Sequence, residues 1–350
     1  MAKHLITGGN GYVGSFLAEY LLNLNQDVTI LDLFDDKDRD KRSNFIKADI
    51  TDFQEINNAI KGMDYVHHSA ALVPLKKSGE LYKKVNILGT ENVMKSCLEN
   101  NIKHVVHISS SAIFGNVEKN DCPISTEPKN LKPIEIYGES KLNAEFVVKK
   151  FITESINNNH KTSFSIIRPR TIIGTKRLGI FQVLFEWVSE GRNIFIIGNG
   201  SNLFQFLHIN DLCDAIYRSS QKKLNEVFNV GSKNFYTLRE TLGHLCTISK
   251  TKSKVKSLPE KLVISLLQFL DKIGLSPLAP WHYLTYHKDY FFDISKTEKL
   301  LEWKPKYDDK KMIEESYNWY LENKNNLKET DSAHRSIIKQ KILKIIKYFA

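Results

Sequence analysis

The chain has 350 residues, with 50 Lys+Arg against 40 Asp+Glu and a formal charge of +10. Hydrophobic residues make up 41% and aromatics 11%, enough for a large core, which excludes whole-chain disorder. No run approaches the roughly 18 apolar residues of a membrane-spanning helix, and Cys97, Cys122, Cys213 and Cys246 are too scattered for a zinc motif or a disulfide framework. A cytoplasmic location is expected: Met1-Ala2-Lys3-His4 leads straight into a strand, with no secretory leader expected.

Short apolar runs alternate with amphipathic stretches through the first half. Strands are predicted at His4–Thr7, Val28–Leu31, Phe45–Lys47, Tyr65–His68, Val105–Ile108 and Ser165–Arg168. Helices are predicted at Val13–Asn23, Gln54–Lys61, Tyr82–Glu99 and Tyr137–Glu154. This rhythm predicts an α/β fold with a doubly wound parallel sheet over 1–168. The rhythm breaks after Arg168. Helices at Phe181–Gly191, Leu212–Ser219 and Leu238–Ile248 and strands at Ile194–Ile197 and Val227–Val230 predict a smaller substrate-binding part over 169–330, interleaved with the first. Residues 331–350 form a separate basic tail.

The first strand runs into Thr7-Gly8-Gly9-Asn10-Gly11-Tyr12-Val13-Gly14 and then a helix. Gly8, Gly11 and Gly14 suit a tight turn, a close approach to a pyrophosphate, and helix–sheet packing. Asp32, at the end of the second strand, is placed to bond the adenosine ribose. Its charge would repel a 2′-phosphate, so NAD is expected over NADP, although Arg39, Lys41 and Arg42 follow closely.

Tyr137 and Lys141 stand four apart on a predicted helix, hence on one face. An ammonium beside a phenol favours the phenolate, making the pair a proton shuttle for a hydroxyl or ketone. Ser109-Ser110-Ser111, at the end of a predicted strand, offers a hydroxyl to the same oxygen.

These motifs, in this order, resemble the extended short-chain dehydrogenase/reductase superfamily, NAD-dependent epimerase/dehydratase group, over about residues 3–325. The resemblance also rests on Ala48-Asp49-Ile50, Val66-His67-His68-Ser69-Ala70-Ala71 and Asn86-Ile87-Leu88-Gly89-Thr90. It continues through Ser109–Gly115, Arg168-Pro169-Arg170, Phe206–Asp211, Phe228-Asn229-Val230-Gly231 and Trp303-Lys304-Pro305. It implies a Rossmann-type fold holding NAD. Tyr12, Val13, Ser109 and Pro169 would join the glycines against the cofactor. Asp49 and Ile50 would flank the adenine, and Ala70 and Ala71 the pyrophosphate and ribose. Lys141 would touch the nicotinamide ribose, and Asn86 would line the nicotinamide end or orient the catalytic helix. Counting five back from Gly115 makes Ser110 the catalytic hydroxyl beside Tyr137. The helices at 82–99 and 137–154 would form a homodimer interface.

Within that group, 4,6-dehydratases carry Asp-Glu directly after the catalytic hydroxyl, where this chain has Ser111 and Ala112. Sugar-acid decarboxylases carry a glutamate where Ala112 stands, so neither activity is expected. Nucleotide-sugar enzymes have an arginine where this chain reads Phe204-Gln205-Phe206. Ser111 and the cations Arg170, Lys176 and Arg177 are the substitute substrate candidates. The stretches 197–203 and 289–293 are closer to the 3β-hydroxysteroid dehydrogenase branch.

Two enzyme readings follow. A nucleotide-sugar epimerase or keto-sugar reductase is narrowly preferred over a 3β-hydroxysteroid-like dehydrogenase or ketoacyl reductase. A non-catalytic NAD sensor is a third. His67 and His68 read as core, His208 with Asp211 as a domain-joining contact, and Trp281, His282, Tyr283 and His287 as packing.

The tail has five cations against Asp331, a net +4 that leaves +6 for the body. It patterns as a basic amphipathic helix suited to an anionic membrane or to docking. No basic stripe with stacking aromatics occurs in the body, so no nucleic acid is expected.

Overall fold

The computed structural model describes residues 1–73, 79–128, 131–176, 180–276 and 278–326. The tail expected over 331–350 and the substrate candidate Arg177 lie outside them.

The first half follows the predicted alternation: β1 (Lys3–Thr7), α1 (Tyr12–Asn23), β2 (Asp27–Asp32), β3 (Asn44–Lys47), α2 (Phe53–Ile60), β4 (Tyr65–His68), α3 (Gly89–Glu99), β5 (His104–Ile108), α4 (Ile136–Asn157) and β6 (Ser163–Pro169). The second half contains β7 (Thr171–Ile173), α5 (Ile180–Ser189), β8 (Ile194–Ile197), β9 (Phe206–His208), α6 (Ile209–Lys222), β10 (Val227–Val230), α7 (Leu238–Ile248) and β11 (Val255–Leu258). It ends in α8 (Glu260–Lys272), α9 (Pro280–Thr285), α10 (Ser295–Leu301) and α11 (Asp309–Asn323).

Seven strands form one parallel sheet in the order β3-β2-β1-β4-β5-β6-β10. The order reverses between β1 and β4, and such a switch opens a crevice at the strands' carboxyl ends. The seventh strand, β10, comes from the second half and pairs with β6. The cut predicted at residue 168 therefore divides the chain but not the sheet.

Both faces of the sheet are covered, so the strands are apolar on both sides. Ile6, Val106 and Ile167 pack under α1 and α6. Leu5, Val66, Val105 and Phe164 pack under α2, α3 and α4. The helix predicted over 82–99 is divided: Lys83–Leu88 forms a π-helical turn before α3 begins. That turn carries Asn86, whose amide is bonded elsewhere, as described below.

The contacts of His208 and Asp211 stay within the second half, tying the start of α6 to the segment before α11. The His208 ring stacks on Tyr307 with centroids 3.6 Å apart. The Asp211 carboxylate accepts the backbone N–H groups of Lys306 at 3.0 Å and Tyr307 at 3.1 Å. The 280s aromatics pack inward, with Trp281 edge-on to Tyr290 at 5.4 Å.

Five histidines are buried in the sheet. His4, His67 and His104 face α1 and α6, and His68 and His107 face the other side. His68 sits between Thr7 Oγ1 at 2.7 Å and Thr90 Oγ1 at 2.9 Å. Burial pulls the pKa of His68 and His104 down to about 3 and of His4 to about 4, with His67 and His107 well below their ordinary value. These rings are therefore neutral in the folded state. Below about pH 6.5 the unfolded chain binds protons that the folded chain refuses, so stability is lost as pH falls. His4, His68 and His104 each contribute about 2 kcal/mol to that loss by pH 5, and His67 and His107 add to it in the same direction. Thermal unfolding followed by circular dichroism should show Tm falling steeply between pH 7 and about pH 5. A flat Tm across that range would contradict this account of the histidines.

Candidate active site

The glycine loop joins β1 to α1 at the switch point. Gly8 has φ +66°, and a Cβ there would lie 2.6 Å from Ala70 Cα in the loop after β4. A Cβ on Gly14 would lie 2.3 Å from the Gly8 carbonyl oxygen. No side chain caps α1 at Gly11, so the first-turn amides and the positive end of the helix dipole are left for an anion. This cradle fits the pyrophosphate of a dinucleotide. Tyr12 ties the loop to the second half by donating to the Thr175 carbonyl at 3.1 Å.

Asp32 follows beside the loop. Its carboxylate accepts the N–H of Asn10 at 3.0 Å and of Leu33 at 2.8 Å. Burial raises its pKa and these two donors oppose the rise. Arg39 is engaged by Asp35 at 2.6 Å and Arg42 by Asp40 at 2.6 Å, so neither guanidinium is loose beside the ribose position. Asp49 Oδ1 accepts the Thr51 N–H at 2.8 Å, and Ile50 is buried against Gly89, where a Cβ would meet its Cδ1 at 2.6 Å. Ala70 and Ala71 are half-buried in the loop that closes on Gly8.

The proton-transfer side lies at the end of β5. Tyr137, Lys141 and Glu145 recur every fourth residue along α4 and so share a face. Lys141 is buried and its Nζ donates to the Ile108 carbonyl at 2.6 Å. Burial pulls its pKa down to about 8, with Glu145 opposing. Ser110 caps a short turn over Ser111–Phe114, its Oγ accepting the Ala112 N–H at 3.1 Å. Ser111 is buried, and its carbonyl accepts the Tyr290 hydroxyl at 3.0 Å. Tyr137 packs edge-on to Tyr82, with centroids 6.4 Å apart.

Three supporting residues were not among the candidate site residues. Glu145 is fully buried and takes Ser109 Oγ at 2.5 Å, Arg168 Nε at 2.8 Å and Arg168 Nη2 at 2.6 Å. Ser140 accepts Asn86 Nδ2 at 2.9 Å and donates to the Tyr137 carbonyl at 2.8 Å. The other end of Asn86 accepts the Leu72 N–H at 2.8 Å. Asn86 thus bridges the loop after β4 to the first turns of α4. The third is Tyr290. The i+4 and i+8 positions from Tyr137 were the readable signal for Glu145, since they continue the catalytic face.

Two candidates turn inward. The Ser109 hydroxyl, expected against the cofactor, is committed to Glu145. Arg170, expected at the substrate, is 1% exposed. Its guanidinium stacks over Tyr290 at 4.3 Å, Phe204 at 4.9 Å and Phe292 at 5.4 Å, with no hydrogen-bond partner among the described residues. Three ring faces pack on it and Asp309 lies within electrostatic reach, so its charge is turned into the core. Gln205 is likewise internal, donating to the Ser232 carbonyl at 2.6 Å and accepting the Phe292 N–H at 2.9 Å. Lys176 lies over Phe16 at 5.5 Å, on a groove between α1 and α6. Pro169 ends β6 beside Val230.

Residues 4–231 match the NAD dependent epimerase/dehydratase family. The chain belongs to that family. An uncharacterized protein of Sinorhizobium fredii, y4nG, is 36% identical over 345 residues, 98% of this chain and 85% of its own length. The human sterol-4-alpha-carboxylate 3-dehydrogenase, decarboxylating, is 30% identical over 241 residues. That match covers 66% of this chain but 60% of the relative, so the chain spans under two thirds of it. Among solved structures, UDP-glucuronic acid 4-epimerase from Bacillus cereus, in complex with NAD, matches with a TM-score of 0.72. It is 22% identical and covers 91% of this chain and 99% of that one, a likeness of fold.

Two variants test the site. Gly8→Ala places a methyl against Ala70 at a left-handed position, and calorimetric titration should show NAD affinity falling at least about tenfold. Lys141→Met removes a buried ammonium whose lowered pKa corresponds to roughly 3 kcal/mol against folding near pH 7. In urea, the apo variant should be more stable than the wild type at pH 7. The gap should narrow above about pH 8, where folded Lys141 sheds a proton that the unfolded chain keeps. A variant less stable at pH 7 would refute this reading of Lys141.

Proposed function

We propose that the chain is an NAD-dependent dehydrogenase acting at a secondary alcohol, or at its ketone in reverse, on a hydrophobic, sterol-like substrate. The observation that carries the reaction class is that Lys141, one helical turn beyond Tyr137 on α4, reaches the Ile108 carbonyl at the end of β5, two residues before Ser110 and in the same sheet as the glycine cradle. Bound NAD supplies the hydride acceptor. Tyr137 takes the proton of the carbinol hydroxyl, and the Lys141 charge favours the phenolate it needs. Ala112 N–H already fills an acceptor position of Ser110 Oγ, so the Ser110 proton is directed to the substrate oxygen, where charge develops. Asp32, with Arg39 and Arg42 held by their own acids, favours NAD over NADP.

The substrate class rests on three supports. Gln205 and Arg170, at the positions where a diphosphate clamp was sought, are built into the core. Near Tyr137 two large apolar side chains are exposed among charged ones: Ile136 precedes it and Leu81 precedes its ring partner Tyr82, whose hydroxyl donates to the Val73 carbonyl at 3.3 Å. Curated relatives act on sterols by their names, including 3 beta-hydroxysteroid dehydrogenase/Delta 5-->4-isomerase of Vaccinia virus at 30% identity over 55% of this chain. On these supports we prefer the hydrophobic alcohol to the nucleotide sugar narrowly favoured by the sequence. The lack of a carboxylate at Ser111 and Ala112 still disfavours elimination of water. It does not bar loss of CO2. An alcohol with a carboxylate on the adjoining carbon gives a β-keto acid on oxidation, and that acid decarboxylates without a further catalytic group.

A nucleotide-sugar epimerase or keto-sugar reductase is the second reading, favoured by a fold that matches UDP-sugar 4-epimerases along nearly their whole length. A homodimer would use α4 and α3 with the π-helical turn before it, where Phe146 and Leu88 are exposed.

The test is NADH formation with a panel of hydrophobic secondary alcohols beside UDP-, GDP-, CDP- and dTDP-sugars. Turnover is expected with the alcohols, and Tyr137→Phe should lower kcat about 10²- to 10⁴-fold with little change in NAD affinity. Turnover confined to the sugars would reverse the reading. Silence on both panels, with no effect of Tyr137→Phe on any phenotype, would leave an NAD sensor.

A further inference from the structure

The helix α8 has an outward apolar face that is exposed among the described residues. Leu262 is 70% exposed, Leu266 54%, Phe269 60% and Ile273, at its C-terminal cap, 51%. At about 100° per residue these four fall within about 60° of one another, a single apolar stripe along the helix. Only Leu267 of this helix is buried. Leu275, just beyond the helix, is 52% exposed and extends the apolar patch.

The charges around the stripe are sorted. Lys261 and Lys272 lie on one flank of it, and Lys252, Lys254 and Lys256 are exposed on the preceding segment and edge strand β11. The two acids of α8 lie on the opposite side. Glu260 approaches His287 Nε2 at 3.7 Å, and Asp271 lies towards Glu135. Between residues 250 and 272, six lysines stand against these two acids. The surface presented to solvent is therefore apolar at its centre and cationic at its margin.

We propose that α8 is an interfacial helix that seats the protein on an anionic lipid surface. An exposed apolar stripe flanked by lysines is the pattern of a helix lying in the headgroup region, its large side chains entering the acyl boundary and its ammonium groups meeting anionic headgroups. A second copy of the chain is a poorer occupant. Packing stripe on stripe would bring the lysine margins of two copies together, and an anionic bilayer neutralises them instead.

The helix is also close to the chemistry. Glu135 immediately precedes α4, and Tyr137 is two residues further on. The Glu135 carboxylate accepts the Trp281 backbone N–H of α9 and lies within electrostatic reach of Asp271. A protein resting on α8 would therefore hold the amino-terminal end of the catalytic helix near the lipid surface. The seating does not depend on which substrate is used.

The experiment is co-sedimentation of the full-length protein with vesicles of phosphatidylcholine containing about a third phosphatidylglycerol, beside vesicles of phosphatidylcholine alone. The wild type should bind the anionic vesicles and weaken as salt is raised. The double variant L266Q/F269Q, at solvent positions, should keep its Tm and bind about tenfold less. K261Q/K272Q should reduce the salt-sensitive part of the binding. Wild-type protein that stays in the supernatant overturns the proposal. So does an L266Q/F269Q protein that binds as well as the wild type, or one that changes only from dimer to monomer in light scattering.

Discussion

One buried carboxylate organises the catalytic half of the molecule. Glu145 receives Ser109 from the end of β5 and two nitrogens of Arg168 from β6. The third arm of Arg168 reaches the Thr126 carbonyl at 2.8 Å. A charge pair with 0–1% side-chain exposure gives up its hydration, so it is tolerable only when its bonding positions are well filled, as they are here. Because Glu145 lies one helical turn beyond Lys141 and two beyond Tyr137, locking it also locks the pitch and rotation of α4. Ser109 is the neighbour of Ser110. The three groups proposed to handle the substrate oxygen are thus registered through a residue that handles none of it.

The opposite end of α4 is held by weaker, neutral bonds. Asn86 ties the loop after β4 to Ser140, and Ser140 returns to the Tyr137 carbonyl. The same post-β4 loop meets Gly8 without room for a methyl. Cofactor cradle and proton-transfer side therefore share a wall, the segment from Ala70 to Leu72. The π-helical turn at Lys83–Leu88 sits in this wall, and it is there that Asn86 leaves the ordinary helical ladder to make its bonds.

Several of these arrangements are unfavourable taken singly. Lys141 is desolvated, Arg170 is boxed by rings with no hydrogen-bond acceptor among the described residues, and five histidines are held neutral in the sheet. Such groups survive because the surrounding apolar layers are extensive on both faces. Function-bearing polarity is concentrated at the strand ends, where the sheet's switch point opens, and the outer helix α8 carries apolar surface that the core does not use.

The glycine loop, Asp32, the Tyr137 and Lys141 pair and the strand–helix alternation were legible in the sequence because each is a local pattern. A turn that excludes side chains, a period of two or of 3.6, and a four-residue spacing are written in adjacent residues. The family followed from their order. What adjacency does not encode is which distant side chains share a dielectric environment. Arg170 and Ser109 looked available because their neighbours in sequence are polar or surface-like, and only packing against Tyr290 and Glu145 shows their charge and hydroxyl already committed. Glu145 looked like one more helical acid until Arg168 was brought to it from another strand. The sheet crossing the expected domain boundary through β10, and the apolar stripe of α8 left outside the core, were likewise decided by tertiary structure. Burial is a property of the folded whole, and it alone determines whether an apolar residue is core or surface and whether a cation is a ligand or a brace.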